Sequence, residues 1–188
     1  MIVLLLFLNS TFSYGEEQFS DDTLLIEGDS IENTLDRKLK ATGNAVLKKN
    51  DRTINADLIE YDQVSDELYA IGNVSIQGGR SKLTGSSLEL SIKDNIGVIP
   101  NASFSSSLDG SSNKFNNTLR GRAKVLFLEG EDKKRLQNAS ITTCEVGQDD
   151  WFIKASEIEM NDSSKIIAAK NAKLEFKGVP ILYSPLLN

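Results

Sequence analysis

The chain has 188 residues, 21 Lys and Arg against 27 Asp and Glu, a single Cys and no His. This composition excludes Ser-His-Asp and Cys-His triads, the HExxH zinc helix and CxxC metal or redox sites. A net charge of −6 without a Lys/Arg stripe argues against nucleic acid as a partner, because few phosphates could be neutralised.

At the N-terminus, Met1 precedes the apolar run Ile2 to Leu8, and Ser13-Tyr14-Gly15 stand before Glu16-Glu17. The run is shorter than the roughly 20 residues a transmembrane helix needs. Ser13 and Gly15 suit the small-residue positions of a signal-peptidase site. Residues 1–15 are read as a cleaved secretory signal, with a buried N-terminal strand as the other reading, and residues 16–23 as a tail. In an exported protein the single Cys144 lacks a partner within the chain, which points to a bond with another chain or another part of a longer protein.

Self-similarity begins beyond residue 20. Five strand-like segments carry Asn44-Ala45, Asn73-Val74, Asn101-Ala102, Asn138-Ala139 and Asn171-Ala172, at intervals of 29, 28, 37 and 33 residues. Around four of them apolar and small residues alternate strictly: Leu39, Ala41, Gly43, Ala45, Leu47; Leu68, Ala70, Gly72, Val74, Ile76; Ile96, Val98, Pro100, Ala102, Phe104; and Ala172, Leu174, Phe176. Such period-two alternation predicts half-buried strands.

A second kind of strand precedes each of these and changes phase midway. Ile54 and Ala56 are followed by Ile59 and Tyr61; Leu83 and Gly85 by Leu88 and Leu90; Ile153 and Ala155 by Ile158 and Met160; Ile26, Gly28 and Ile31 repeat the slip in the first unit. A one-residue slip turns side chains to the other face unless a bulge or corner absorbs it, so a repeated slip predicts a repeated corner. Polar turns such as Asp62 to Glu67 and Asn161 to Lys165 join the bent strand to its return. Five stacked two-stranded units predict an all-β fold, a jelly-roll-like coiled sheet with its inner faces packed on each other, in one domain over residues 24–180. Ile31, Leu35 and Leu39 would also suit a short helix, although a turn at Asn33 to Asp36 fits the strand parity better. Residues 103–117, rich in Ser and Asn around Asp109-Gly110, read as an exposed loop or an elongated hairpin.

No constellation points to catalysis, a metal or a cofactor. Gly78-Gly79 stand at a hairpin and not between a strand and a helix, so they are turn residues. Asp57 with Glu60, or Glu157 with Glu159, could be posed as acid and base, but solvated outer faces explain them better. Lys133-Lys134-Arg135, preceded by Glu129, Glu131 and Asp132, reads as a charged turn, with contact to an anionic head group as the lesser reading.

The remaining candidate is the apolar interior. Small residues alternating with long aliphatics can leave a groove between the inner faces, and an acyl chain entering it gains roughly 0.8 kcal/mol per buried CH₂. The inward positions of such a groove are Ile54, Ile59, Tyr61, Val74, Ile76, Leu88, Leu90, Ile158 and Met160. The same residues could equally fill a closed core, and a structural β-stack adaptor that holds no ligand stands as the alternative.

The phrase ATGNAVLKKNDRTINADLIEYDQVSDELYAIGNVSIQGG, residues 41–79, resembles the OstA-like domain of lipopolysaccharide-transport proteins. ITTCEVGQDDWFIKASEIEMN, residues 141–161, and NAKLEFKGVPILYSP, residues 171–185, resemble more narrowly the end of the N-terminal periplasmic domain of the LptD family of outer-membrane assembly proteins. The short periplasmic bridge protein of the same system shares only the first phrase. The resemblance implies a β-jelly roll that joins a periplasmic bridge by edge-strand pairing. It also implies lipopolysaccharide passing through the hydrophobic groove toward a C-terminal outer-membrane barrel plugged by a lipoprotein. Residues 181–188 would begin the link to that barrel, and Cys144 would match the cysteine bonded to it. Residues 16–50 lack the second cysteine that many members carry.

Overall fold

The computed structural model describes residues 24–107 and 118–188. The expected signal (1–15), the tail (16–23) and residues 108–117 of the expected loop lie outside them. The described residues form twelve strands. They are β1 (Leu24–Glu27), β2 (Ser30–Asn33), β3 (Lys38–Lys49), β4 (Arg52–Asp62), β5 (Glu67–Gly78), β6 (Ser81–Ser91), β7 (Ile96–Ser107), β8 (Thr118–Glu129), β9 (Lys133–Thr142), β10 (Trp151–Asn161), β11 (Ile166–Phe176) and β12 (Val179–Leu187). They pair antiparallel in one sheet, each strand from β3 onward beside its neighbour in sequence, with β1 and β2 both on the free side of β3. Where a short helix competed with a turn, the chain takes the turn: β2 ends at Asn33, and Arg37 N–H donates to Thr34 O at 3.1 Å.

The repeated asparagines are the corners. Asn44, Asn73, Asn101, Asn138 and Asn171 have φ values of 47–51°, a left-handed conformation that Asn tolerates better than other non-glycine residues. Four of them donate a side-chain bond to the preceding bent strand: Asn44 to Asp29 (3.0 Å), Asn73 to Asp57 (3.0 Å), Asn101 to Ser86 (3.4 Å) and Asn171 to Ser156 (3.0 Å). One short polar residue about half a repeat upstream therefore staples each of these corners.

The residue before each Asn decides how the side chains alternate. Gly43 and Gly72 are also left-handed, with φ of 72° and 78°. At these two Gly-Asn pairs the register shifts against both neighbours where both are paired, as in β4–β5 and β5–β6. Two consecutive left-handed residues insert one extra residue, so Leu68, Ala70, Val74 and Ile76 keep one parity and all face inward. Pro100, Gln137 and Lys170 precede the other three asparagines, and the pairing across Asn101 and Asn138 runs without a shift. There the parity changes, and Ile99 with Ala102, and Leu136 with Ala139, are the buried residues. The strict alternation expected through Ile96, Val98, Pro100 and Ala102 is thereby corrected: Ile96 is exposed and Ile99 is buried.

The sheet is folded in two along the line of corners. Arg52 opens β4 at one end of the strands, whereas Asn95 lies in the turn after β6 at the other end, yet the Arg52 guanidinium donates to the Asn95 side-chain oxygen. An 11-residue strand extends roughly 35 Å, so this bond forms only if the halves close like a book. Asn95 N–H₂ also donates to Gly130 O at 2.7 Å, which fixes the clasp. Columns of aligned side chains fill the fold. One runs Ala41, Ile59, Ala70, Leu88, Ile99, Leu126, Leu136, Ile158 and Ala169, all at 0–2% exposure. Beside the corners stands a column of small residues including Ala45, Ala56, Ala102, Ala123, Ala139, Ala155 and Ala172, whose size permits the sharp bend.

Candidate functional site

The interior opens to the surface where β6 to β11 meet the book's mouth, in a cavity of about 530 Å³. Its apolar wall comes from Leu83 on β6, Phe104 on β7, Leu119 and Leu126 on β8, Leu136 on β9 and Met160 on β10. Both halves of the sheet contribute. Glycine 121 makes room for the Phe104 ring: a Cβ there would lie 2.7 Å from Phe104 Cζ and 2.5 Å from Ser140 O. The rim is polar and includes Arg80, Ser81, Ser106, Lys134, Asp162 and Lys165. Ser81 Oγ and Ser106 Oγ share a hydrogen bond of 2.9 Å, and Lys134 pairs with Asp162.

The nine residues assigned to a groove all lie on the inner side or its margin. Ile54, Ile59, Val74, Leu88 and Ile158 are sealed at 0–2% exposure, with Ile76 and Leu90 nearly so. Met160 reaches the cavity. Tyr61 and Leu90 line a separate depression bounded by Lys38, Glu60 and Ile96. Burial, followed by the hydrogen bond its hydroxyl donates to Asp66 at 2.5 Å, pushes the Tyr61 pKa up to about 12. That ties the polar end of the ring to the turn. Leu119, Leu126 and Leu136 were absent from the sequence-based groove, although Leu119, Gly121 and Ala123 followed by Leu126 and Leu128 repeat the same phase slip.

The carboxylates considered for acid-base work have structural partners. Asp57 holds the Asn73 corner. Lys170, 2.5 Å away, is the main cause that holds Glu157 below the ordinary carboxylate range, on the outer face. Among the described residues no group of three or more His, Cys, Asp or Glu is placed to hold a metal.

Cys144 lies half-buried in the loop between β9 and β10. Arg120 pins this loop by donating to Cys144 O (2.7 Å), Glu145 O (2.9 Å) and the Asp149 carboxylate. The Thr142 hydroxyl first, then the backbone N–H groups of Trp151 and Asp150, lower the thiol pKa by bonding the thiolate. In Thr142→Val that donor is gone and the thiol pKa moves up. The rate of alkylation by iodoacetamide at pH 7 should fall severalfold, with the midpoint of its pH profile moved to higher pH; an unchanged profile would refute the assignment.

The two outer edges differ. β1 and β2 are four residues each, separated by Gly28-Asp29. β12 carries Val179, Ile181, Leu182, Tyr183 and Leu186 at 56–64% exposure, and residues 181–187 belong to this last strand of the sheet.

A corner-repeated antiparallel sheet, closed like a book over an apolar interior that opens at its mouth, defines the class: an OstA-like β-jelly roll. The family described as LptA/(LptD N-terminal domain) LPS transport protein matches residues 53–166, and the chain belongs to it. This is a family of transport domains, not of enzymes. The chain is 32% identical over 163 residues to the LPS-assembly protein LptD of Nitrosomonas eutropha, covering 87% of this chain and 21% of that protein. It is 36% identical over 151 residues to that of Nitrosospira multiformis, covering 80% and 15%. The chain thus spans about a fifth or less of these relatives. The fold is similar to the crystal structure of LptH, the LptA homologous periplasmic component of the conserved lipopolysaccharide transport device from Pseudomonas aeruginosa. That likeness has a TM-score of 0.51 at 12% identity and covers 83% of this chain and 96% of that one.

Proposed function

We propose that this domain works in the periplasm, receives lipopolysaccharide from a periplasmic bridge protein and guides its acyl chains toward an outer-membrane barrel. The observation that carries the reading is the apolar cavity at the mouth of the folded sheet. Its volume falls within the roughly 300–1,000 Å³ typical of small-ligand pockets. Acyl chains enter at Met160 and continue between the inner faces along Ile158, Leu90, Leu88, Ile76, Val74, Tyr61, Ile59 and Ile54, with the halves parting as they pass. The bridge pairs with the free backbone of β1 and β2. The barrel, with its lipoprotein plug, lies beyond β12, and Cys144 forms its disulfide with that part of the longer protein.

Site-specific photocrosslinking tests this in cells. Probes at Met160, Ile76 and Leu90 should capture lipopolysaccharide, whereas probes at the outward Gln77 and Glu89 should not. Capture of protein alone, at strand edges, would instead support a structural adaptor with a closed core.

A further inference from the structure

Next to the apolar cavity, the outer face of β6 to β10 carries a second depression of about 420 Å³. Its lining follows from the register. Lys82 stands beside Ser105 and Ser105 beside Arg120, while Thr84, Ser103, Arg122, Ser140 and Lys154 form the adjoining row. These positions alternate with the inward Leu83, Ala102, Phe104, Ala123 and Ala139, so they share the opposite face of the sheet. Four cations meet there with one carboxylate, Asp149, in a chain of net charge −6. Asp149 pairs with Arg120, and Lys154 pairs with Glu175. Lys82 and Arg122, both exposed, have no ion-pair partner among the described residues. The depression adjoins the apolar cavity near the end of β7, because Phe104 and Ser105 line both.

We propose that Lys82 and Arg122 hold the anionic sugar of a glycolipid head group whose acyl chains occupy the adjoining cavity. The inference rests on the acyl-chain reading above and adds the polar half of the ligand. A sugar needs hydroxyl partners, and Thr84, Ser103, Ser105 and Ser140 supply donors and acceptors. The half-buried ring of Phe152 adds an apolar surface for the flat side of a pyranose. The anion, a carboxylate or a phosphate, meets the planar fork of Arg122 and the mobile ammonium of Lys82. With Phe104 and Ser105 as the shared wall, tail and head of one amphiphile reach the two depressions together.

The test measures binding to the full chain by displacement of the neutral probe N-phenylnaphthylamine. The competitors are dodecyl glucoside, dodecyl glucuronide and dodecyl glucoside 6-phosphate, which share tail and ring and differ in charge, each kept below its micelle concentration. Wild type should bind at least one charged amphiphile about tenfold more tightly than the neutral one, a difference of about 1.4 kcal/mol, and the one preferred identifies the anion. Lys82→Gln/Arg122→Gln should lose that preference and its salt dependence while binding dodecyl glucoside as wild type does. A preference kept in the double variant, no preference in wild type, or an equal loss for all three overturns the head-group site while leaving the acyl cavity standing. Failure of the wild type to bind any of the three overturns the cavity reading and the head-group site with it.

Discussion

Gly72→Ala should destabilise the domain by at least about 2 kcal/mol, measured by urea unfolding. Two independent costs combine. The φ of 78° is one that an L side chain rarely adopts, a strain of about 1–3 kcal/mol. The new Cβ would also fall 2.2 Å from an Asp57 carboxylate oxygen. Asp57 cannot retreat freely, because the same carboxylate accepts both bonds from the Asn73 amide. Asp57→Ala alone should cost only about 0.5–1.5 kcal/mol, the net value of exposed hydrogen bonds. In the double variant Asp57→Ala/Gly72→Ala the contacts with the carboxylate, at 2.2 and 2.8 Å, are removed while the 2.9 Å approach to the Cβ of residue 57 and the backbone strain remain, so the two losses should sum to more than the double variant shows. A cost for Gly72→Ala below about 0.5 kcal/mol would mean that the corner does not need the Gly-Asn pair.

Leu126→Ala should cost about 2–5 kcal/mol, the range for truncating a buried leucine. Leu126 is 1% exposed, stands between Ile99 and Leu136 in the register, and forms part of the cavity wall. Its neighbours are held by hydrogen-bonded strands on both sides and cannot close the gap. The void extends the existing cavity, so the variant should accommodate an acyl chain more readily. A ligand that binds only the folded state raises stability by mass action. Saturating dodecyl maltoside should therefore raise the unfolding midpoint of Leu126→Ala more than that of wild type. Equal shifts would place the amphiphile somewhere other than against Leu126.

The repeating unit was legible because its signals are local. A polar turn, a phase slip and an Asn about every 30 residues follow from the backbone conformation each position must adopt, and those asparagines are the corners. The alternation after Ile96 was misread because Asn101 was treated like Asn73. The difference lies in the preceding residue, since Gly72 adds a second left-handed residue where Pro100 does not. The cavity was only partly legible. Met160 was identified, but Leu119, Leu126 and Leu136 look in sequence like any other inward aliphatic. Whether an inward side chain meets a partner or empty space depends on the distance between the two halves of the sheet.

The residues taken in order determined an all-β repeat with fixed corners and an interior without catalytic groups, because those properties arise within one strand or between adjacent strands. Arginine 52 meeting Asn95, the filling of the interior along β3 to β6 and its opening beneath Phe104 and Met160 were decided only by folding the sheet on itself. Each joins side chains from opposite ends of strands or from distant units, and no period in the sequence encodes how closely two inner faces approach.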